Sequence, residues 1–179
     1  DCSFKGLAVG IAEGTKIIDQ IRYDAWQRQS ELLVPEMDRL LKRNHLTRQD
    51  IADVMVTIGP GSYTGVRIAL TIAKVLSFAL NVPLFGVSSL RVLKVQDDPT
   101  IVVINARSGR SYVGVYEGSK TLIQDCVMTN QEVLEYIAEH PTYRLGGECA
   151  HLGLACEPVN PLEEMLRLKK TISPVQEKL

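Results

Sequence analysis

The stretch Gly59–Arg67, which reads GPGSYTGVR, holds the densest group of residues in this sequence that could do chemistry. It combines glycines, hydroxyl side chains and an arginine between an apolar run, VMVTI, and a long helical run. A glycine-rich loop leading from a strand into a helix often binds phosphate through its backbone N–H groups. It can instead be a tight turn that starts the helix. We favour the structural turn and keep an anion site as the alternative. The loop residues concerned are Gly59, Pro60, Gly61, Ser62, Thr64, Gly65 and Arg67.

The loop does not match the known catalytic or nucleotide-binding motifs. A Walker A loop needs a lysine and a hydroxyl after its last glycine, whereas Gly65 is followed by the residues VR. The glycine spacing also differs from that of a dinucleotide-binding loop. A nucleophile elbow needs glycines on both sides of the serine, and Ser62 has Pro60 and Thr64 at those positions. Ser62 and Thr64 are therefore predicted to cap the following helix.

The histidines do not form a metal-binding pattern. His45, His140 and His151 are far apart, and none has a histidine or cysteine partner at a ligand spacing of three or four residues. Cys149 lies close to His151, but the two do not complete a set of four ligands. We therefore predict no metal site and no catalytic residue.

The composition predicts a soluble cytoplasmic protein. Of the 179 residues 45% are hydrophobic and 23% charged, and the net charge of −1 gives no basic excess for binding nucleic acid alone. The longest apolar run is short of about 18 residues, so no membrane span is expected. No C-x-x-C pair occurs, and the cysteines are expected to be reduced thiols. The four cysteines are Cys2, Cys126, Cys149 and Cys156.

At the start of the sequence, Asp1 and Ser3 are candidates to lie near a nucleotide, provided that the fold places a cleft above them. The sequence begins with Asp1 rather than methionine, so the absence of a signal peptide carries little weight. An upstream strand, if the polypeptide has one, would end at Asp1.

The apolar periodicity predicts alternating strands and helices, with a boundary near Asp97. A hairpin with its turn near Gly14 comes first. The later predicted elements are a helix over 30–44, a strand over 52–58, a helix over 66–80, a strand over 82–87, a strand over 100–106, a hairpin over 111–118, a helix from Thr129 or Asn130, a strand over 143–148 and a helix from Pro161.

Two of the predicted helices carry apolar faces that need a covering surface. In the helix over 66–80 the polar side chains form one narrow stripe, so more than half of its surface must be buried. Ala69 and Ala73 are four residues apart and allow close approach. The apolar periodicity does not show whether a partner chain or a second layer of the same domain covers this surface. The interface candidates are Leu33, Met37, Leu40, Leu41, Ala69, Ile72, Ala73 and Leu76.

Four segments together resemble the TsaB (YeaZ) family, the accessory subunit for making threonylcarbamoyladenosine in tRNA. They are DCS before the hairpin, SELLVPEMDRLL, VTIGPGSYTGVRIALTIAKVLSFALNVPLFGVSSL and INARSGRSYVGVY. The resemblance is close over Asp1–Gly118 and looser beyond. It implies an α/β actin-like/Hsp70-like ATPase fold (ASKHA, ribonuclease H-like) with two small lobes, 1–97 with dimerisation helices and a shortened 98–179.

The resemblance also implies partners. The interface candidates would contact TsaD, the catalytic paralogue, or a second copy in a homodimer. TsaE would be the ATPase of the complex, this chain would need no cofactor, and tRNA would be reached only through the complex.

The resemblance implies that this chain is not catalytic. TsaD carries H-x-x-x-H as metal ligands after the strand matching Val82–Val87, whereas Ser89 and Leu93 occupy those positions here. The alternative is a small ATP-dependent phosphotransferase of the same fold that uses Asp1 and the glycine loop. An older protease label for such sequences is disfavoured, because no nucleophile with a base is present.

Overall fold

The computed structural model describes residues 1–4, 6–25 and 27–175 of the chain. In chain order its elements are β1 (Gly6–Glu13), β2 (Lys16–Asp24), α1 (Gln29–Arg43), β3 (Val54–Thr57), α2 (Tyr63–Leu80), β4 (Leu84–Val87), β5 (Thr100–Arg107), β6 (Arg110–Glu117), β7 (Lys120–Thr129), α3 (Asn130–Glu139), β8 (Arg144–Gly147) and α4 (Pro161–Lys169). The predicted hairpin with its turn near Gly14, the helices α1 to α4 and the strands β3, β4, β5 and β8 are therefore confirmed. The hairpin predicted over 111–118 is wrong, because this segment lies in the single strand β6, which pairs with β5 and β7.

The chain forms two units, and their boundary differs from the expected one. The first unit contains residues 1–87 and the segment that begins at Pro161, and the second contains residues 88–160. The boundary predicted at Asp97 is wrong, because Ser88 already bonds to Asp125 in the second unit, at 2.5 Å. The predicted second lobe, 98–179, wrongly included α4, whose Lys169 pairs with Asp53 of the first unit, at 2.5 Å.

The first unit holds two separate pairs of strands. β1 and β2 form an antiparallel hairpin whose turn contains Gly14 at a positive φ of 60°, a conformation that glycine adopts without strain. β3 and β4 are parallel, and α2 connects them, as a parallel pair requires a crossover. The core of this unit consists of Cys2, Leu7, Ala25, Leu33, Val56, Ala69, Ala73 and Leu84.

The second unit is built on a four-stranded sheet in the order β7-β6-β5-β8. The strands β5, β6 and β7 form an antiparallel meander, and β8 joins β5 in parallel. Helix α3 begins with a capping box between Thr129 and Glu132. Cys149 and Cys156 form a disulfide, so the expectation of reduced thiols is wrong for this pair. Cys2 and Cys126 are free thiols.

Candidate interaction surface

The glycine loop packs against the backbone of the first three residues. A Cβ atom at Gly61 would collide with the carbonyl oxygen of Ser3, and one at Gly65 with the carbonyl oxygen of Cys2. The backbone N–H of Ser62 also donates to the Ser3 carbonyl, at 2.8 Å. Glycine is therefore required here because two main-chain segments approach closely. The N–H groups of Ser62 and Gly65 are already used, by the Ser3 carbonyl and by the Ser62 hydroxyl oxygen.

The same loop starts α2. The Oγ of Ser62 accepts a hydrogen bond from the Gly65 N–H at 3.3 Å, so the predicted cap is present. Thr64 is the second helical residue rather than a cap. The guanidinium of Arg67 donates to the Tyr63 hydroxyl at 2.9 Å on the exposed surface. The peptide between Gly59 and Pro60 is cis, and Gly59 has a φ of 101°.

Asp1 and Ser3 belong to a hydrogen-bonded cluster at the carboxyl end of β3. The Oδ1 of Asp1 accepts from the Ser3 N–H at 2.8 Å and from the Thr57 hydroxyl at 2.7 Å. The Ser3 hydroxyl donates to Thr57 Oγ1 at 2.9 Å. Ser3 and Thr57 are buried, so their hydroxyl groups serve the packing of this end of the sheet. A role for Asp1 and Ser3 near a nucleotide stays a prediction.

The interface candidates lie on the inner side of their helices. All eight of them line a cavity of about 450 Å³ within the first unit. Leu33, Leu40, Ala69 and Ala73 are buried there, so contact of these four with a partner requires the unit to open. A role of the eight residues in a partner interface stays a prediction, and α4 and the strands line the same cavity. The other four are Met37, Leu41, Ile72 and Leu76.

Ser89 and Leu93, which the resemblance aligns with the predicted metal ligands of TsaD, lie in a short turned segment. Ser89 is buried, and Leu93 ends a single turn of 3-10 helix. Within residues 1–4, 6–25 and 27–175, no group of three or more histidine, cysteine, aspartate or glutamate side chains is arranged to hold a metal ion.

The outer side of α2 exposes large apolar side chains. Tyr63 is 74% exposed and Phe78 is 77% exposed, and Val75 is also exposed between them. With the polar residues Arg67 and Thr71 they form one line at steps of three and four residues, which is a single helical face. We call these five residues the outer stripe.

A shallow groove runs beside the outer stripe, between α1 and α2. Ser30 of α1 and Ile68 of α2 line it, together with residues of the stripe itself. Val34, one turn after Ser30 on α1, is also exposed. Exposed apolar side chains that cluster around a groove are typical of a protein-binding surface. This surface could have been predicted from the sequence, because Tyr63, Val75 and Phe78 lie on the same helical face as polar residues of the stripe recognised in α2.

Helix α2 also meets the length and composition of a membrane-spanning helix, contrary to expectation. Only 17% of the residues in its apolar window are buried. A single helix of this kind is weak evidence for a membrane, because core helices of soluble proteins have the same length and composition.

Comparison with known proteins identifies this combination of hairpin, loop and helices. A family model described as "TsaD: tRNA N6-adenosine threonylcarbamoyltransferase" matches residues 23–161, which is most of the chain. The tRNA threonylcarbamoyladenosine biosynthesis protein TsaB of Bacillus subtilis (strain 168) is 35% identical over 133 residues, 72% of this chain and 57% of that protein. The chain belongs to the TsaB (YeaZ) family. This TsaB-family chain thus spans just over half the length of its Bacillus subtilis relative.

Other matches agree with this family and its fold. The tRNA N6-adenosine threonylcarbamoyltransferase of Carboxydothermus hydrogenoformans is 42% identical over 66 residues, 37% of the TsaB-family chain and 19% of the enzyme. The solved structure of YeaZ from Pseudomonas aeruginosa superposes with a TM-score of 0.80 at 20% identity, covering 95% of this chain and 88% of that one. The predicted α/β actin-like/Hsp70-like fold is therefore confirmed.

Proposed function

We propose that this chain is a non-catalytic accessory subunit in the formation of N6-threonylcarbamoyladenosine in tRNA. In this proposal it binds and activates a TsaD-type catalytic subunit. The named TsaB relative and the TsaD family model support the assignment to this process. The non-catalytic role is supported by Ser89 and Leu93, which stand where the catalytic paralogue has metal-binding histidines.

The observation that carries the docking part of the proposal is the outer stripe of α2. Two aromatic side chains that are three-quarters exposed, at Tyr63 and Phe78, are costly to leave in water and effective when buried in an interface. Arg67 between them adds a cation that stacks on the Tyr63 ring, 5.2 Å from its centre. Aromatic and arginine side chains are the types enriched at the centre of protein interfaces.

The proposed partners follow from the same surface. The outer stripe binds TsaD in the working complex and a second copy of this chain in a homodimer when TsaD is absent. TsaE and TsaD handle ATP, so this chain needs no cofactor, and tRNA is contacted through the complex. We place the complex in the cytoplasm, where tRNA is modified.

Substitution of Phe78 tests the docking surface. Phe78→Glu puts a charge at the centre of the proposed contact, and we expect at least about a tenfold loss of affinity for TsaD. The matched control is Val127→Glu on β7, because Val127 is an exposed apolar residue too but lies in the second unit. Affinity is measured by isothermal titration with TsaD, and modified tRNA by mass spectrometry in a mixture with TsaD and TsaE. Equal affinities for the two variants would refute docking through the stripe.

The phosphotransferase alternative is disfavoured by the packing of the glycine loop. The N–H of Ser62 donates to the Ser3 carbonyl and that of Gly65 to the Ser62 hydroxyl oxygen, whereas a phosphate-binding loop presents its N–H groups to the ligand. We expect no heat of binding when ATP and Mg²⁺ are titrated into the isolated chain. Micromolar binding with turnover on a small acceptor would restore the alternative.

A further inference from the structure

The disulfide between Cys149 and Cys156 closes a short loop that follows β8. The two cysteines are 7 positions apart, and the loop holds the 3-10 turn Ala150–Leu152 and then Gly153 at a positive φ of 73°. The chain-entropy contribution of a disulfide grows with the length of the loop that it closes, so it is modest for a loop this short. Breaking the bond therefore removes a local constraint rather than the main support of the second unit.

Other contacts hold the loop beside the disulfide. The N–H groups of Leu152 and Leu154 both donate to the Cys149 carbonyl, at 2.9 Å and 3.3 Å. The side chains of the two leucines pack against the buried core of the second unit. After the loop, the Glu157 N–H donates to the Leu145 carbonyl at 2.9 Å. Since these contacts do not involve sulfur, the unit keeps its core when the disulfide is broken, and the turn between the cysteines gains freedom.

The two sulfur atoms differ in their exposure to solvent. Cys149 is 2% exposed, whereas Cys156 is half-buried and follows the exposed Ala155. In thiol–disulfide exchange the attacking thiolate bonds to one sulfur, and the other sulfur leaves as a thiolate. A thiol from solvent therefore attacks Cys156, and Cys149 leaves. The Cys149 Sγ lies 3.7 Å from the Gly146 carbonyl oxygen, which accepts a hydrogen bond once this sulfur carries a proton.

The free thiol of Cys126 borders the same core without competing for the disulfide. Cys126 packs against the cluster of side chains that contains Cys149. Burial, and then the charge of Asp125, raise the pKa of the Cys126 thiol. A disulfide is attacked by a thiolate rather than by a thiol, so a raised pKa slows exchange within the chain. The pair is therefore opened by a thiol from outside.

The loop carries a histidine that contacts a buried hydroxyl group. The Nε2 of His151 lies 2.7 Å from the Oγ of Ser111, and the Ser111 hydroxyl donates to Asn130 Oδ1 at 2.9 Å. Because the hydroxyl proton is directed to Asn130, the Ser111 oxygen accepts from an Nε2–H of His151. Ser111 is fully buried, so this bond fixes the turn against β6. The state of His151 therefore reports whether the turn is held.

We propose that Cys149 and Cys156 form a redox modification site, which a dithiol opens and a disulfide closes, and whose state determines whether His151 is held on Ser111. In the opening step a thiolate of the dithiol attacks the Cys156 Sγ, the bond to Cys149 breaks, and Cys149 takes a proton from water. The second thiol of the dithiol then displaces Cys156. The pair gains two electrons and two protons, and the dithiol becomes a disulfide.

The proposed cytoplasmic location supplies the reductant. Thiols keep most cytosolic cysteines reduced, and the disulfides that do occur there in mesophiles are usually transient. The inference rests on the proposed function for this location alone. Its test uses the isolated chain without TsaD or tRNA, so the two proposals can fail separately.

Reduction of the folded chain tests the site directly. The chain is treated with dithiothreitol at neutral pH without denaturant, and its thiols are located by alkylation and mass spectrometry. We expect both Cys149 and Cys156 to be labelled, and to be protected again after glutathione disulfide is added. The melting temperature of the reduced chain should be lower by about 5 °C. Amide hydrogen exchange at Leu152 and Gly153 should be at least about tenfold faster.

Two variants separate this pair from the other thiols. Cys156→Ser fixes the open state, so its turn should exchange as fast as that of the reduced chain, with or without dithiothreitol. Cys126→Ser is the matched control and should keep the full redox response. The ring resonances of His151 should shift on reduction in Cys126→Ser and stay constant in Cys156→Ser. Opening only in denaturant, failure of glutathione disulfide to close the pair, or unchanged His151 resonances in the reduced chain would each overturn the proposal.

Discussion

The two sides of α2 differ in the size of their side chains more than in their polarity. On the inner side Ala69 and Ala73 are 4% and 5% exposed, and they allow the helix to lie close to β3. On the outer side Tyr63 and Phe78 are 74% and 77% exposed. Small apolar residues thus mark the face that packs within the unit, and large ones mark the face left for another molecule.

This difference shows what the apolar content of the helix leaves open. A helix that is apolar almost all round must bury several faces, but its composition does not say which face meets its own chain. Leu33 of α1 and Ala73 of α2 face strands and α4 inside the first unit. In the sequence, α4 follows α2 only after the whole second unit. The outer stripe has no such cover among the described residues.

The largest effect is expected when the same charge is placed on the buried and on the exposed side of α2. Ala73→Arg introduces a charge into the apolar interior, and we expect it to lower the free energy of unfolding by at least about 3 kcal/mol. Thr71→Arg, on the exposed side, should change it by no more than about 0.5 kcal/mol. Urea unfolding followed by circular dichroism measures both. Similar losses for the two variants would show that the inner and outer sides are wrongly assigned.

The sequence predicted local elements well because each depends on a short pattern. The hairpin, α1 and the strand-loop-helix that ends in α2 follow from apolar periodicity, glycines and a capping serine. Strand β7 was not recognised, because Gln124 and Asp125 interrupt its alternation. Register shifts opposite Val113 and Val115 accommodate this interruption, and only the pairing with β6 reveals them.

Features that depend on contacts between distant residues could not be predicted from short sequence patterns. The disulfide between Cys149 and Cys156 depends on the short 3-10 turn Ala150–Leu152, which turns the chain back on itself. The cavity of the first unit is lined by strands and helices that lie far apart in the sequence. The carbonyls of Cys2 and Ser3 explain the glycines of the loop only once the first residues and the loop are seen in contact.

A smaller effect is expected where α2 begins, at the contact that fixes its inner side against the first residues. Gly65→Ala forces the loop away from the Cys2 carbonyl, and we expect a loss of about 1–3 kcal/mol in the free energy of unfolding. The control is Gly6→Ala, because a Cβ there would lie 3.5 Å from the nearest atom, which is ordinary contact. A Gly65→Ala variant that is as stable as the parent chain and binds TsaD with unchanged affinity would show that the contact is dispensable.

The smallest effect on stability is expected at an exposed polar contact, in contrast to the apolar inner side of α2. Asp19 of β2 accepts from Arg43 Nε at 2.6 Å and from Asn44 Nδ2 at 2.7 Å, at the end of α1. These hydrogen bonds lower the pKa of Asp19 from 3.8 to about 2. Since the folded state holds the lower pKa, its contribution to stability is present above pH 3.8 and is lost as the pH falls through about 2.

Asp19→Asn should therefore be slightly less stable than the parent chain at pH 6, and this difference should disappear by about pH 2. The measurement is urea unfolding of both chains across that pH range at low salt. The effect is small because solvent and ions screen an exposed pair, whereas Ala69 and Ala73 on the inner side of α2 are buried. A stability difference that grows on acidification would contradict the sign derived from the pKa of Asp19.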